Sequence, residues 1–159
     1  MFFMLCEKVI GSIKDEKYKN YKVDYVNIEW HDAFKKIHKI TTDGGIEVGI
    51  KLDDSILIRG LRDGDVIGTE NDTAVVVNIK ESMWLAVTVE DCHLVPKVCY
   101  EIGNRHATLI SGSAHNEFIT IYDEPMKHML EHLGVKVEAK MMKIDFDKRI
   151  SASVNNHHH

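Results

Sequence analysis

The chemistry available to this sequence is concentrated in its histidines, of which there are ten in 159 residues. A histidine-rich composition indicates metal binding, because neutral imidazole is a borderline ligand that suits nickel, copper and zinc. The imidazole must lose its proton to bind, so a site of this kind should weaken below roughly pH 6. The positions of the histidines therefore decide which of them could hold an ion.

His106 is the first candidate ligand, because it follows the end of a predicted helix. Apolar residues recur at steps of three and four before it, which marks the buried face of a helix: Leu94, Val95, Val98, Cys99 and Ile102. We predict that Gly103, or Asn104 beside it, takes the left-handed backbone conformation and ends this helix. His106 would then stand at a fixed corner, where little further ordering is needed when an ion binds.

One imidazole is too few ligands for nickel or zinc, which need about four to six. The others could come from a second chain across a two-fold axis, or from a C-terminal tail that folds over His106. That tail ends in His157, His158 and His159. A terminal histidine run is a metal-binding composition, and it is also what remains of an expression tag. The sequence fits both origins.

The remaining histidines are weaker candidates. His115 lies in a predicted turn and is an auxiliary ligand candidate, because turns often carry function. His128 and His132 are four residues apart and share one face of a predicted helix, opposite its apolar stripe, so we expect them to be exposed and structural. We expect His93, at the start of the earlier helix, to be structural as well.

The composition excludes several classes of function. A net charge of −5 without a long basic block argues against nucleic-acid binding, which needs clustered Lys and Arg. No apolar run approaches the roughly 18 to 20 residues of a membrane span, and the start of the chain has no signal-peptide pattern. We therefore expect a cytoplasmic protein with no membrane and no nucleic acid among its partners.

Neither the cysteines nor the carboxylates indicate catalysis. Cys6, Cys92 and Cys99 form no CxxC pair, and an odd number suits a reducing compartment. Cys92 and Cys99 are seven residues apart, so we expect them to share a face of one helix as small buried hydrophobes. No GxSxG, Walker A, GxGxxG or HExxH motif occurs, and the acidic pairs lie in turns. We predict that the protein is not an enzyme.

Residues 1–79 are predicted to form a small all-β domain. Alternating apolar and polar residues from Val23 to Trp30 indicate a strand. Lys36–Thr42 and Ile46–Leu52 flank Asp-Gly-Gly, which predicts a β-hairpin. Further turns at Arg62–Asp65 and before Ala74 continue the pattern of short strands joined by tight turns.

Residues 80–146 change to a β-α-β-β-α-β order, which is the ferredoxin-like arrangement and makes the whole chain an α+β protein. The two predicted helices are Asp91–Ile102, with its start displaced toward His93 by Pro96, and Met126–Leu133. The predicted strands are Met83–Val89, Ala107–Ile110, Glu117–Ile121 and Val135–Ile144. Residues 147–159 are predicted to be a polar tail that ends in histidine.

Four segments that together span most of the chain carry a family resemblance: Cys99-Tyr-Glu-Ile-Gly-Asn-Arg-His106, Thr42-Asp-Gly-Gly-Ile-Glu-Val-Gly-Ile50, Leu61-Arg-Asp-Gly-Asp65-Val and Met129-Leu-Glu-His-Leu-Gly134. In these segments the chain resembles the UreE family of urease accessory proteins, which are nickel metallochaperones. Gly-Asn-Arg-His is the most specific of these signals.

The resemblance implies a homodimer that binds one Ni(II) between the two His106 side chains, with Zn(II) as a competitor. It further implies a peptide-binding N-terminal domain, transfer of nickel to the urease apoprotein through a complex with an accessory GTPase, and completion of the site by tail histidines, here His157–His159. The alternative is a metal-independent adaptor, in which the β domain binds a peptide of the urease complex and the histidines are incidental.

Overall fold

The computed structural model describes residues 3–151, and the chain divides into two compact units, Met1–Lys80 and Glu81–His159. Among the described residues, no helix is both long enough and apolar enough to cross a membrane. The two units are built differently.

The first unit consists mainly of short strands, which form two sheets. In chain order its elements are β1 (Phe3–Cys6), β2 (Gly11–Ser12), β3 (Lys22–Ile28), β4 (Ile37–Thr41), β5 (Glu47–Lys51), α1 (Ile56–Arg59), β6 (Asp65–Glu70) and β7 (Thr73–Ile79). One sheet has the strand order β1-β5-β4, and the other has the order β2-β6-β7-β3.

Turn chemistry accounts for the hairpins of this unit. The predicted hairpin of β4 and β5 is confirmed: the strands are antiparallel, the Thr42 amide donates to the Ile46 carbonyl at 2.8 Å, and Gly45 has a φ of 92°. The sequence pattern did not predict two parallel pairings, β1 with β5 and β3 with β7. Both join segments far apart in the chain, which a local pattern does not encode.

The prediction of an all-β first unit leaves out two 3₁₀ turns, Glu16–Tyr18 and Trp30–Asp32, and the short helix α1. Its residues Ile56, Leu57 and Ile58 are consecutive apolar residues without the alternation of a strand, and only Ile56 among them is buried. Asp53 accepts hydrogen bonds from the amide and hydroxyl of Ser55, which starts the helical turn.

The second unit is a four-stranded sheet with two helices. Its elements are β8 (Ser82–Thr88), α2 (Val95–Asn104), β9 (Ile110–Ser111), β10 (Glu117–Ile121), α3 (Glu124–His132) and β11 (Lys136–Met142). The strand order is β11-β8-β10-β9, and all neighbours are antiparallel. Leu85 and Val87 of β8 share one core with Val98 and Ile102 of α2 and Leu130 of α3. Both helices therefore pack on the same face of the sheet.

The boundaries of α3 follow from its sequence. The Asp123 side chain accepts a hydrogen bond from the Met126 amide at 2.9 Å, and Pro125 lies in the first turn. Gly134, with a φ of 87°, follows the last turn, as predicted. The helix therefore occupies nearly the predicted range.

Residues 147–151 are not part of a tail, which corrects the prediction for that segment. Phe146 is buried in a 3₁₀ turn, and Arg149 forms a β-bridge with Ile110. The amides of Ile150 and Ser151 both donate to the Leu109 carbonyl, at 2.8 and 3.2 Å. The reason is that β9 is an edge strand whose backbone groups need partners, and this segment supplies them. Residues 152–159 lie outside the described part of the chain.

One buried hydroxyl in the core leads to a stability prediction. Thr120 is fully buried, and among the described residues its Oγ1 atom has no hydrogen-bond partner. Thr120→Val should raise the free energy of unfolding by about 1 kcal/mol, because the valine has the same shape without the desolvated hydroxyl. Urea unfolding measures the change, with Thr69→Val at an exposed strand position as control. A loss of stability in Thr120→Val alone would refute the prediction.

Candidate metal centre

The helix that leads to His106 begins later and ends later than predicted. A 3₁₀ turn, Cys92–Leu94, precedes α2, whose first turn contains Pro96 and whose last residue is Asn104. Gly103 lies inside the helix and does not end it. A β-carbon at Gly103 would meet nothing within 4 Å, so this glycine leaves open space on the helix surface.

His106 itself takes the left-handed backbone conformation, with a φ of 58°. The His106 amide donates to the Gly103 carbonyl at 2.9 Å, and the Ala107 amide donates to the Ile102 carbonyl at 3.3 Å. These two bonds form a Schellman motif, in which the left-handed position is usually occupied by glycine. The prediction that Gly103 or Asn104 would take this conformation is therefore wrong.

The core explains why the helix ends where it does. Ile102 is fully buried, and Ala107 packs against the same core from the other side of the turn. The apolar contact across the motif thus fixes the left-handed residue at position 106, although histidine costs about 1 to 2 kcal/mol more than glycine in that conformation. The hydrogen bonds of the His106 and Ala107 amides hold the backbone on both sides of His106, while the His106 imidazole is exposed to solvent. His106 does stand at a rigid corner.

Among the described residues, no group of three potential ligand side chains includes His106. His115 is exposed in the turn between β9 and β10, whereas His106 precedes β9. His157, His158 and His159 lie outside the described residues. His128 and His132 are exposed as expected, and the His128 Nε2 atom is 3.0 Å from the Glu124 carboxylate one turn earlier.

Within residues 3–151, one group of three potential ligand side chains lies close together: Asp91, Cys92 and His93. The sequence reasoning missed this group. It placed Cys92 on the buried face of one continuous helix, but the residue is exposed in the 3₁₀ turn, and only Cys99 is partly buried. The prediction from the seven-residue spacing of Cys92 and Cys99 is wrong because α2 begins after Cys92, at Val95. The sequence signal that could have identified the group is the run of three consecutive residues, Asp91, Cys92 and His93, each of which carries a potential ligand atom.

The surroundings of the three thiols predict an order of reactivity. Cys6 is 2% exposed, and burial raises the pKa of its thiol to about 11, while burial also raises the pKa of Cys99. In the native protein, iodoacetamide should label Cys92 first, Cys99 more slowly and Cys6 only on unfolding. Peptide mass spectrometry follows each site, and labelling in guanidinium should remove the order. Fast native labelling of Cys6 would contradict this account of its environment.

Each of the two units matches the model of a known protein domain. The model of the UreE urease accessory protein N-terminal domain matches residues 6–80, and that of the C-terminal domain matches residues 83–159. Relatives described as urease accessory protein UreE include that of Helicobacter acinonychis strain Sheeba, 36% identical over 95% of this chain and 88% of the relative.

Two further relatives carry the same description. The protein from Helicobacter pylori strain G27 is 35% identical over 95% of this chain and 88% of the relative. The protein from Helicobacter bizzozeronii is 33% identical over 94% of this chain and 84% of its own length. These matches describe an accessory protein and not an enzyme. The chain therefore belongs to the UreE family of urease accessory proteins.

Proposed function

We propose that this protein is a nickel metallochaperone of urease maturation, acting as a homodimer that binds one Ni(II) between two His106 side chains. The observation that carries the proposal is the exposed imidazole of His106 on a left-handed helix terminus. Residues with a strained backbone persist only where the surrounding fold holds them in place, and they are found most often at functional sites. Membership of a urease accessory family agrees with this role.

The second imidazole comes from the partner chain. One histidine cannot satisfy a nickel ion, and the described residues form no three-ligand group that includes His106. A two-fold axis beside His106 would bring its copy to the same ion. The adjoining surface of α2 suits a second chain, because Tyr100 is 69% exposed and Gly103 leaves room for close approach.

The position of Ser151 favours the tail histidines as further ligands of this ion. Ser151 is hydrogen-bonded to Leu109, three residues after His106, and His157 follows Ser151 by six residues. Six residues can span at most about 20 Å. We therefore favour His157–His159 as the exchangeable ligands. His115 is the less favoured auxiliary ligand, because it lies beyond the opposite end of β9 from His106.

The second unit would serve as a rigid platform for the site. We assign it the ferredoxin-like arrangement, which is supported by its β11-β8-β10-β9 antiparallel order and by the packing of both helices on one face. In this assignment, His106 lies between α2, the first helix of the second unit, and the edge strand β9. Two imidazoles held by such platforms would keep the ion in place while mobile ligands exchange.

This division of ligands would allow transfer without release of a free ion. A partner can replace the mobile ligands one at a time, while the two His106 side chains retain the metal until the last step. We propose the urease apoprotein as the final acceptor, reached in the cytoplasm through a complex with an accessory GTPase. Zn(II) would compete for the same imidazoles, because its preferred ligands overlap with those of nickel.

The first unit would bind a peptide of the maturation complex. On the β1-β5-β4 sheet, Phe3 and Leu5 are each 58% exposed, and Ile37 is 70% exposed. The register places Leu5 and Lys39 opposite Gly49, so these side chains border a position without a side chain of its own. An exposed apolar surface of this kind also favours the second candidate function, a metal-independent adaptor.

Removal of the tail separates the two candidates. In chains carrying Cys92→Ser, which removes one ligand of the Asp91, Cys92 and His93 group, calorimetric titration with nickel should give one ion per two chains, both at full length and in a chain ending at Ser151, with weaker binding in the shorter chain. The physical reason is that the truncation removes His157–His159 and retains His106. Sedimentation should give a dimer in both. If the shorter chain bound no nickel, binding would be a property of the terminal histidines, and the adaptor function would be favoured.

A further inference from the structure

We propose that Asp91, Cys92 and His93 form a second divalent-metal site, separate from His106 and independent of the proposed nickel site. The ligand atoms of the three side chains all lie within 4.8 Å of one another. Around a tetrahedral zinc ion, such atoms would be roughly 3.3 to 3.8 Å apart. Small rotations of exposed side chains are enough to close that difference.

The local backbone holds the three residues in one turn. The Asp91 Oδ1 atom accepts a hydrogen bond from the His93 amide at 3.0 Å, and the Asp91 carbonyl accepts one from the Leu94 amide at 2.9 Å. These bonds wind the segment into the 3₁₀ turn that enters α2. Asp91 keeps a second carboxylate oxygen for an ion, so capping and metal binding do not compete.

Access and charge also favour a cation. All three side chains are exposed, so an ion can reach them without a change of fold. The neighbouring Glu90 carboxylate is 3.5 Å from the Lys136 ammonium, so this carboxylate already has a cationic partner. Asp91, and the Cys92 thiolate that forms on binding, remain as negative charges facing the site.

The ligand set defines the class of metal. A thiolate, an imidazole and a carboxylate suit zinc and similar borderline ions, and they do not suit calcium or magnesium. Three protein ligands leave one tetrahedral position open for water or another exchangeable ligand. Binding requires the Cys92 thiol to lose its proton, which passes to the solvent.

The new site and His106 lie at opposite ends of α2. That helix has ten residues, which corresponds to a length of about 15 Å. No ion can therefore be shared within one chain by His93 and His106. The two sites should be separable by mutation.

Cobalt(II) tests the proposal, because a coordinated thiolate adds a charge-transfer band that imidazole and carboxylate ligands do not produce. The full-length protein should show this band on titration with cobalt. Cys92→Ser should abolish it, whereas Cys99→Ser and His106→Ala should retain it. His93→Gln should weaken cobalt binding, read from the same band, by at least about tenfold. Far-UV circular dichroism confirms that each variant is folded.

Zinc protection provides an independent readout. Zinc should slow the alkylation of Cys92 in the wild-type protein and should lose much of this effect in Asp91→Asn and His93→Gln. The proposal is overturned if no thiolate band forms, if the band persists in Cys92→Ser, or if neither the band nor the protection depends on His93. None of these outcomes depends on nickel binding by His106.

Discussion

His106→Gly is expected to abolish binding of the one nickel ion per two chains, while the protein remains at least as stable as the wild type. The imidazole is lost, so the shared ion loses both of its fixed ligands. Glycine adopts the φ of 58° without the strain of about 1 to 2 kcal/mol that a side chain incurs there. The greater flexibility of glycine in the unfolded chain offsets about 0.5 to 1 kcal/mol of this gain.

Two measurements separate these effects: calorimetric nickel titration of chains that also carry Cys92→Ser, and urea unfolding in the presence of a chelator. Asn71→Gly is the matched control, because Asn71 has a φ of 52° in the turn between β6 and β7. It should show a similar change in stability and unchanged nickel binding. His106→Ala should lose nickel and also be less stable than His106→Gly. Unchanged nickel binding in His106→Gly would contradict the assignment of His106 as a ligand.

Ile102→Ala is expected to cause the largest loss of stability among the helix variants, about 2 to 5 kcal/mol in the free energy of unfolding. Ile102 is fully buried in the core that joins α2 to Leu85 and Leu130, and its carbonyl accepts the Ala107 amide. Truncation leaves a cavity under the turn that holds His106. Nickel binding should therefore weaken as well, although no ligand is removed.

Urea unfolding followed by circular dichroism measures this loss. Lys97→Ala is the control, because Lys97 lies on the exposed side of the same helix and its loss should change stability by no more than about 0.5 kcal/mol. A loss below about 1 kcal/mol for Ile102→Ala would mean that the core does not anchor the turn. Wild-type nickel affinity in this variant would mean that the rigid corner is not needed for binding.

The sequence predicted the local elements well, because their signals are local. Period-two alternation and the Asp-Gly-Gly turn indicated the β4–β5 hairpin, and the Asp123 cap with Gly134 delimited α3. The parallel pairings of β1 with β5 and of β3 with β7 could not be predicted in this way. They depend on contacts between segments that lie far apart in the sequence.

The errors near the site have one physical cause. The usual preference for glycine in the left-handed position pointed to Gly103, but the contact of Ala107 with the core moved that position to His106. Packing thus overrode a local propensity. The pairing of residues 149–151 with the edge of β9 is of the same kind. It depends on the unpaired backbone groups of a strand that lies far away in the sequence.

The candidate ligand could be predicted from the sequence, but its complete site could not. His106 was identifiable because a histidine beside a helix end has a fixed backbone. The rest of the proposed site would be supplied by a second chain and by His157–His159, so no local pattern describes its geometry. Asp91, Cys92 and His93 were missed because Cys92 was assigned to a helix that begins only at Val95.

Native mass spectrometry of mixed dimers can establish whether two His106 side chains share one ion. Both kinds of chain carry alanine at His157–His159 and serine at Cys92; those that keep His106, called wild-type at this position, are mixed with mass-tagged His106→Ala chains. The account predicts one nickel ion in the wild-type dimer and none in either the mixed or the doubly substituted dimer. Two ions in the wild-type dimer and one in the mixed dimer would show a site within each chain and would contradict the account.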